Sequence, residues 1–251
     1  MTKLYAISVF LIFSFVSMSA SSAVHVRYTG CVAPAQELVF SQEPTLLQAV
    51  NQAKLQSCAY LFGAALIRAD LREKQSQQKA YLLESLRSLL SRESLPLEVT
   101  AYTESLIAQI ESQLVTGRDT RFSLFPTLIE TRKNANPLID QMIMLHYPSR
   151  PDWIHLLGFA ENRVDYDPGL SIEQRVNSLS LLPFLKAGYV GIVQANGETS
   201  TVRVGYWSNR KSYVSPGGWI VGLFPEKILG DDHKNLNQLI LNWLATQVIE
   251  K

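Results

Sequence analysis

The side chains best suited to moving a proton near neutral pH are His25, His146, His155 and His233, and they are scattered. None stands at the i, i+4 or His-x-His spacing of a zinc site, and no Gly-x-Ser-x-Gly elbow or phosphate-cradling glycine loop is present. Asp231-Asp232-His233 mixes carboxylate with imidazole, but it falls where a helix N-cap is expected, and capping is its reading here. An isolated histidine inside a strand, such as His155, reads as a satisfied structural residue. Glu161 with Asp165 or Asp167 offers the carboxylate pair of a glycoside hydrolase, yet no motif sets the required separation of about 5 to 9 Å. The expectation is a protein without catalytic residues, metal site or cofactor: a non-enzyme.

Binding chemistry is better supplied. Arg118 and Arg121 lie in Thr116-Gly117-Arg118-Asp119-Thr120-Arg121, and a guanidinium is a planar fork suited to carboxylates, phosphates and sugar hydroxyls. Further along, Arg150, Trp153, Tyr206, Trp207, Arg210, Tyr213 and Trp219 interleave forks with rings. Rings stack on the apolar faces of sugars while hydrogen-bonding groups fix orientation. Arg118, Arg121, Trp207 and Arg210 are therefore the candidate ligand-binding residues. The alternative is structural: Trp153 and Trp219 as strand residues of a core, and Arg118 as a helix-end cap or partner of Asp119.

Composition narrows the setting. Of 251 residues, 47% are hydrophobic and 18% charged, which suits a packed globular chain. A net charge of +1 supplies no overall basic surface for nucleic acid. Lys3, the apolar run Leu4 to Val16 and the small residues Ser21-Ser22-Ala23 read as a signal peptide over residues 1–23, cleaved after Ala23. That run is too short to span a bilayer, which takes about 20 apolar residues, so a periplasmic product without an integral membrane segment is expected. Removing Lys3 leaves 22 basic against 22 acidic residues. In an oxidising compartment the two cysteines, Cys31 and Cys58, read as a disulfide, with two buried thiols as the alternative.

These residues must be positioned by a mixed α+β framework. Val24 to Tyr28 alternates as a strand, Glu37 to Phe40 is a second, Pro44 opens a short helix, and Tyr60 to Ile67 reads as a buried strand. Leu82, Leu86, Leu89 and Leu90, then Val99, Tyr102, Leu106, Ile110 and Leu114, recur at helical spacing on either side of Pro96 and predict an αα-hairpin over about 71–116, ended by Gly117. Pro148-Ser149-Arg150-Pro151 marks a domain boundary. Strand, strand, helix, strands then recurs: Trp153 to Phe159, a helix through Ile172 and Val176, a hairpin across Asn196-Gly197, and a strand from Trp219. A helix over Leu236 to Ile249 closes the chain. The expected organisation is a first domain over 24–147, a second over 148–230 and a terminal helical segment over 231–251.

Asn136-Pro137-Leu138, Arg150-Pro151, Ile154-His155-Leu156-Leu157-Gly158, Asn196-Gly197-Glu198-Thr199, Trp207-Ser208-Asn209-Arg210, Pro216-Gly217 and Pro225-Glu226-Lys227 occur in the order that resembles the GfcC-like capsule-biosynthesis proteins. Thr116-Gly117-Arg118 after a helical hairpin fits the same family. The resemblance implies two β-grasp (SLBB-like) domains, the first carrying the hairpin, plus a C-terminal amphipathic helix. It implies a periplasmic accessory protein, expected to be a monomer, in capsular or O-antigen-type polysaccharide assembly or export, with Arg118 at a sugar-holding cleft. The alternative partner is the outer-membrane polysaccharide exporter, engaged through the terminal helix. The Cys31 and Cys58 pair is a departure from the family pattern, and the match before Leu71 is weak.

Overall fold

The computed structural model describes residues 23–34, 36–92, 94–185, 188–204 and 211–249. In the first domain β1 (Val24–Gly30) turns into β2 (Gln36–Phe40), and the alternation of β1 buries Val24, Val26 and Tyr28 while exposing His25 and Arg27. Helix α1 (Leu46–Asn51) starts at a capping box: Gln48 N–H donates to Thr45 Oγ1 at 3.2 Å, and Thr45 N–H donates to Gln48 Oε1 at 2.8 Å. Pro44 precedes this cap instead of standing in the first turn. The stretch expected as one strand over Tyr60 to Ile67 divides into a 3₁₀ turn at Leu61–Gly63 and β3 (Ala65–Arg68). After α2 (Leu71–Leu90) and α3 (Leu97–Ser112) come β4 (Arg118–Asp119), α4 (Pro126–Thr131) and β5 (Ile143–Tyr147).

The second domain holds β6 (Trp153–Leu157), β7 (Arg163–Asp165), α5 (Ile172–Ser178), β8 (Tyr189–Val193), β9 (Thr199–Arg203) and β10 (Trp219–Gly222). It is followed by α6 (Glu226–Leu229) and α7 (Leu236–Ala245). The sheets have orders β2-β1-β5-β3-β4 and β7-β6-β10-β8-β9, strand for strand the same. In each, the first strand lies parallel to the last, β1 with β5 and β6 with β10, and every other pair is antiparallel. Two hairpins joined by a helix, with the last strand inserted at the centre, form a β-grasp sheet, and the chain folds two of them. The α2–α3 hairpin occupies the β3–β4 connection, the place that the short Asn196-Gly197 turn holds between β8 and β9.

Each sheet has its own core on one face. Val24, Val26, Tyr28, Leu66 and Leu145 pack with Leu46 and Ala49 of α1, while Ile154, Leu156, Val190, Ile192 and Ile220 pack with Ile172 and Val176 of α5. The third core crosses the domains. Leu82, Leu86, Leu89, Val99, Leu106 and Ile110 of the hairpin meet Leu157, Val193, Trp219 and Val221 on the other face of the second sheet, together with Ile240, Trp243 and Leu244 of α7. That sheet is covered on both faces, which is why Trp219-Ile220-Val221-Gly222 is buried throughout. Gly191 lets α7 approach: a Cβ there would stand 2.6 Å from Leu241.

Helix α7 is shorter than expected. It ends at Ala245 with Thr246 as its C-cap, and Gln247 to Ile249 runs on as an irregular strap. Its start is preceded by Asn235, so Asp231-Asp232-His233 does not cap it. Leu236, Ile240, Leu241, Trp243 and Leu244 are buried within the chain, which removes the exposed apolar face that would favour an adaptor role. Gly117 has the left-handed φ of 80° but closes no helix, since α3 ends at Ser112. The Cys31–Cys58 disulfide is formed, with Cα atoms 5.7 Å apart, and ties the end of β1 to the loop before the 3₁₀ turn. Among the described residues no helix is long and apolar enough to cross a membrane.

A shared third core predicts joint unfolding. Leu86 is fully buried, and Leu86→Ala is expected to cost about 2–5 kcal/mol. Urea denaturation followed by circular dichroism and tryptophan fluorescence should give one coincident transition at a lower midpoint. Two separated transitions in the wild type would show that the domains do not depend on this core.

Candidate functional site

The second sheet places its aromatic residues by pleat and register. Trp153 and His155 are two residues apart on β6 and share a face, and Trp219 of β10 is the direct partner of His155. The rings form a ladder: Trp153 and His155 centroids are 4.4 Å apart edge to face, and His155 and Trp219 are 4.0 Å apart and stacked at 17°. Arg163, opposite His155 on β7, lays its guanidinium 4.2 Å from the Trp153 ring centroid. Burial, aided by the Arg163 charge, pushes the His155 pKa down to about 4, so its ring is neutral at physiological pH.

Opposite the ladder stands Thr116-Gly117-Arg118, at the point where the hairpin rejoins its sheet. Gln75 of α2, buried, brackets the motif by accepting from Gly117 N–H and donating to the Arg118 carbonyl, both at 2.8 Å. Gly117 must lack a side chain, because a Cβ would sit 2.4 Å from the Arg68 carbonyl oxygen. Thr116 Oγ1 donates to the Thr246 carbonyl at 2.6 Å. Arg118 donates through its two terminal nitrogens to the carbonyls of Gln247 and Ala195, each at 2.6 Å. One motif of the first domain thereby holds both the strap after α7 and the β8–β9 turn of the second.

A cavity of about 400 Å³ lies between these walls, lined by Arg118, Trp153, His155, Trp219, Gln113 and Gln247 among others. Arg118 is 4% exposed, and burial pulls its pKa down to about 10, which leaves it charged at neutral pH. No aspartate or glutamate is among the described lining residues, and the Arg118 guanidinium is the one formal charge among them. A planar donor fork beside aromatic rings can hold a polar ligand by hydrogen bonds and ring contact together.

Of the residues expected from sequence, the cavity brings together Arg118, Trp153 and Trp219. Arg121 is not among its lining residues. Its side chain is 64% exposed and clamped by Asp119, with Nε and Nη2 at 2.8 and 2.6 Å from the carboxylate oxygens. Trp207, Arg210 and Tyr206 lie outside the described residues. Asp167 accepts from Gly169 N–H at 2.8 Å in a turn, and neither it nor Glu161 lines the cavity. His155, Arg163 and the Gln247–Ile249 strap were not expected at the site. The alternation of Trp153-x-His155 was the available signal for the first; the strap lay hidden inside a continuous helical period.

Two family models match the chain. The capsule biosynthesis GfcC N-terminal model matches residues 20–148, and the capsule biosynthesis GfcC C-terminal model matches residues 161–249. The chain is a member of the GfcC capsule-biosynthesis family and belongs to capsule biosynthesis. No curated protein matches it.

The depressed His155 pKa makes stability pH-dependent. Its ordinary value is 6.5 and the folded value about 4, so the folded state binds fewer protons between them. The contribution is fully present above pH 6.5 and is lost as pH falls toward 4. His146, also pushed down by burial, adds in the same direction. Urea midpoints from pH 7 to pH 4 should fall less steeply in His155→Phe, which keeps the stack, than in the wild type; equal slopes would contradict the assignment.

Proposed function

We propose that this protein is a periplasmic, non-enzymatic accessory factor of capsular or surface polysaccharide assembly or export, and that it binds the polysaccharide non-covalently in the cleft between its domains. The observation that carries this reading is the Trp153–His155–Trp219 ladder facing the buried Arg118 fork. The ring surface that the ladder leaves to the cavity packs on the apolar C–H groups of a pyranose, and the fork and Gln113 fix hydroxyls or a carboxylate. The bound sugar would replace water around a charge that has no acidic partner among the described residues. Export through a leader over residues 1–23 is supported by the apolar run of the sequence and by the Cys31–Cys58 bridge, a bond characteristic of oxidising compartments.

Calorimetric titration of the mature protein with capsular polysaccharide purified from the producing cells tests the reading. Wild type should bind, and Trp153→Ala should weaken binding by about tenfold or more, ~1.4 kcal/mol, without loss of fold. No binding by the wild type, or unchanged binding by Trp153→Ala, would refute the cleft as the site. Steady polymer length during incubation is expected; depolymerisation would make the protein an enzyme.

A further inference from the structure

The cavity at Arg118 has a neighbour. A second hollow of about 400 Å³ is lined by Glu98, Tyr102, Ser105 and Gln109 of α3 and, across from them, by Leu157, Phe159, Asn162 and Phe184. Both hollows use the same two walls. Helix α3 contributes Glu98 to Gln109 to the second, and Ser112, with the residues after it, to the first. Strand β6 runs the opposite way, giving Trp153 and His155 to the first and Leu157 and its continuation to the second.

The spacing on α3 is regular. Glu98, Tyr102, Ser105, Gln109 and Ser112 follow at four, three, four and three residues, one stripe along the helix. It adjoins the stripe Val99, Thr103, Leu106 and Ile110 that is buried inward. All five members offer a carboxylate, hydroxyl or amide, and Tyr102 adds a ring 5.5 Å from Phe184. A stripe with no packing duty would carry the charged residues of an ordinary solvated face; this one lines two hollows end to end. From Glu98 to Ser112 the helix rises roughly 21 Å, several pyranose rings in length.

We infer that the two hollows form one groove that grips an internal stretch of polysaccharide, several sugar units long, instead of a single unit or a chain end. The inference rests on the proposed sugar-binding role of the Arg118 cleft and adds a length requirement to it. Rings and hydrogen-bonding groups along both walls repeat the chemistry of the first hollow, and each added unit bound there adds to affinity.

Titration with size-fractionated fragments of the purified capsular polysaccharide, from one repeat unit to the intact polymer, reads this directly. Affinity should rise about tenfold or more between the single repeat unit and fragments long enough to fill both hollows, then level off. Ser105→Trp, a plug at an exposed helix position, should abolish that gain and leave single-unit binding unchanged, and Gln109→Ala should reduce it. Equal affinity for short and long fragments, or a gain that survives Ser105→Trp, would overturn the groove while leaving the cleft intact. Failure of every fragment to bind the wild type would overturn the cleft reading and the groove with it.

Discussion

The structure depends on an exchange of cover between domains. A β-grasp sheet buries one face under its own helix, and the second sheet here has apolar residues on both faces. Its far face is closed by α2 and α3, which the chain inserts between two strands of the other domain, and by α7. Neither partner can leave without exposing Leu86, Ile110, Trp219, Val221 and Trp243 to water, a large loss at about 25 cal/mol per Å² of apolar surface. The cleft is a consequence. Where this core runs out, past Ser112 of α3 and toward Trp153 of β6, the hollow opens.

Arg118 closes that junction. Burying a guanidinium costs desolvation, and its hydrogen bonds to Ala195 and Gln247 offset part of that cost while fixing the turn and the strap relative to the hairpin base. No aspartate or glutamate is among the described residues that line the hollow, and the same residue organises the junction and contributes its guanidinium to the lining. The alternative reading of Arg118 from sequence, a partner of Asp119, fails because Asp119 is taken by Arg121. Under the proposed function, structural and ligand-facing roles coincide in this one side chain.

Much of the framework was legible in the sequence, because Val24 to Tyr28, Trp153 to Phe159 and the leucine stripes carry strong periods and Asn196-Gly197 marks a turn. The misreadings have physical causes. Arg163-Val164-Asp165 is an edge strand with polar flanks and no apolar alternation, so β7 left no signal. The apolar period of α7 continues through Val248 and Ile249, but the carbonyls of Thr246, Gln247 and Ile249 meet Thr116, Arg118 and His146, and the backbone leaves the helix to reach them. Gly117 looked like a helix terminator because a left-handed glycine serves equally for close approach to Arg68. Of the site, Arg118, Trp153 and Trp219 could be chosen by residue type alone. Their convergence could not, since nothing local says which sheet face a helical stripe will cover.

Polymer contact with the aromatic ladder is what the proposed function requires above all. Heteronuclear NMR of the mature protein, following the indole N–H signals of Trp153 and Trp219 during titration with purified capsular polysaccharide, addresses that contact at its atoms. Both signals are predicted to shift in proportion to bound polymer. Saturable binding that leaves both unmoved and perturbs other residues would contradict it.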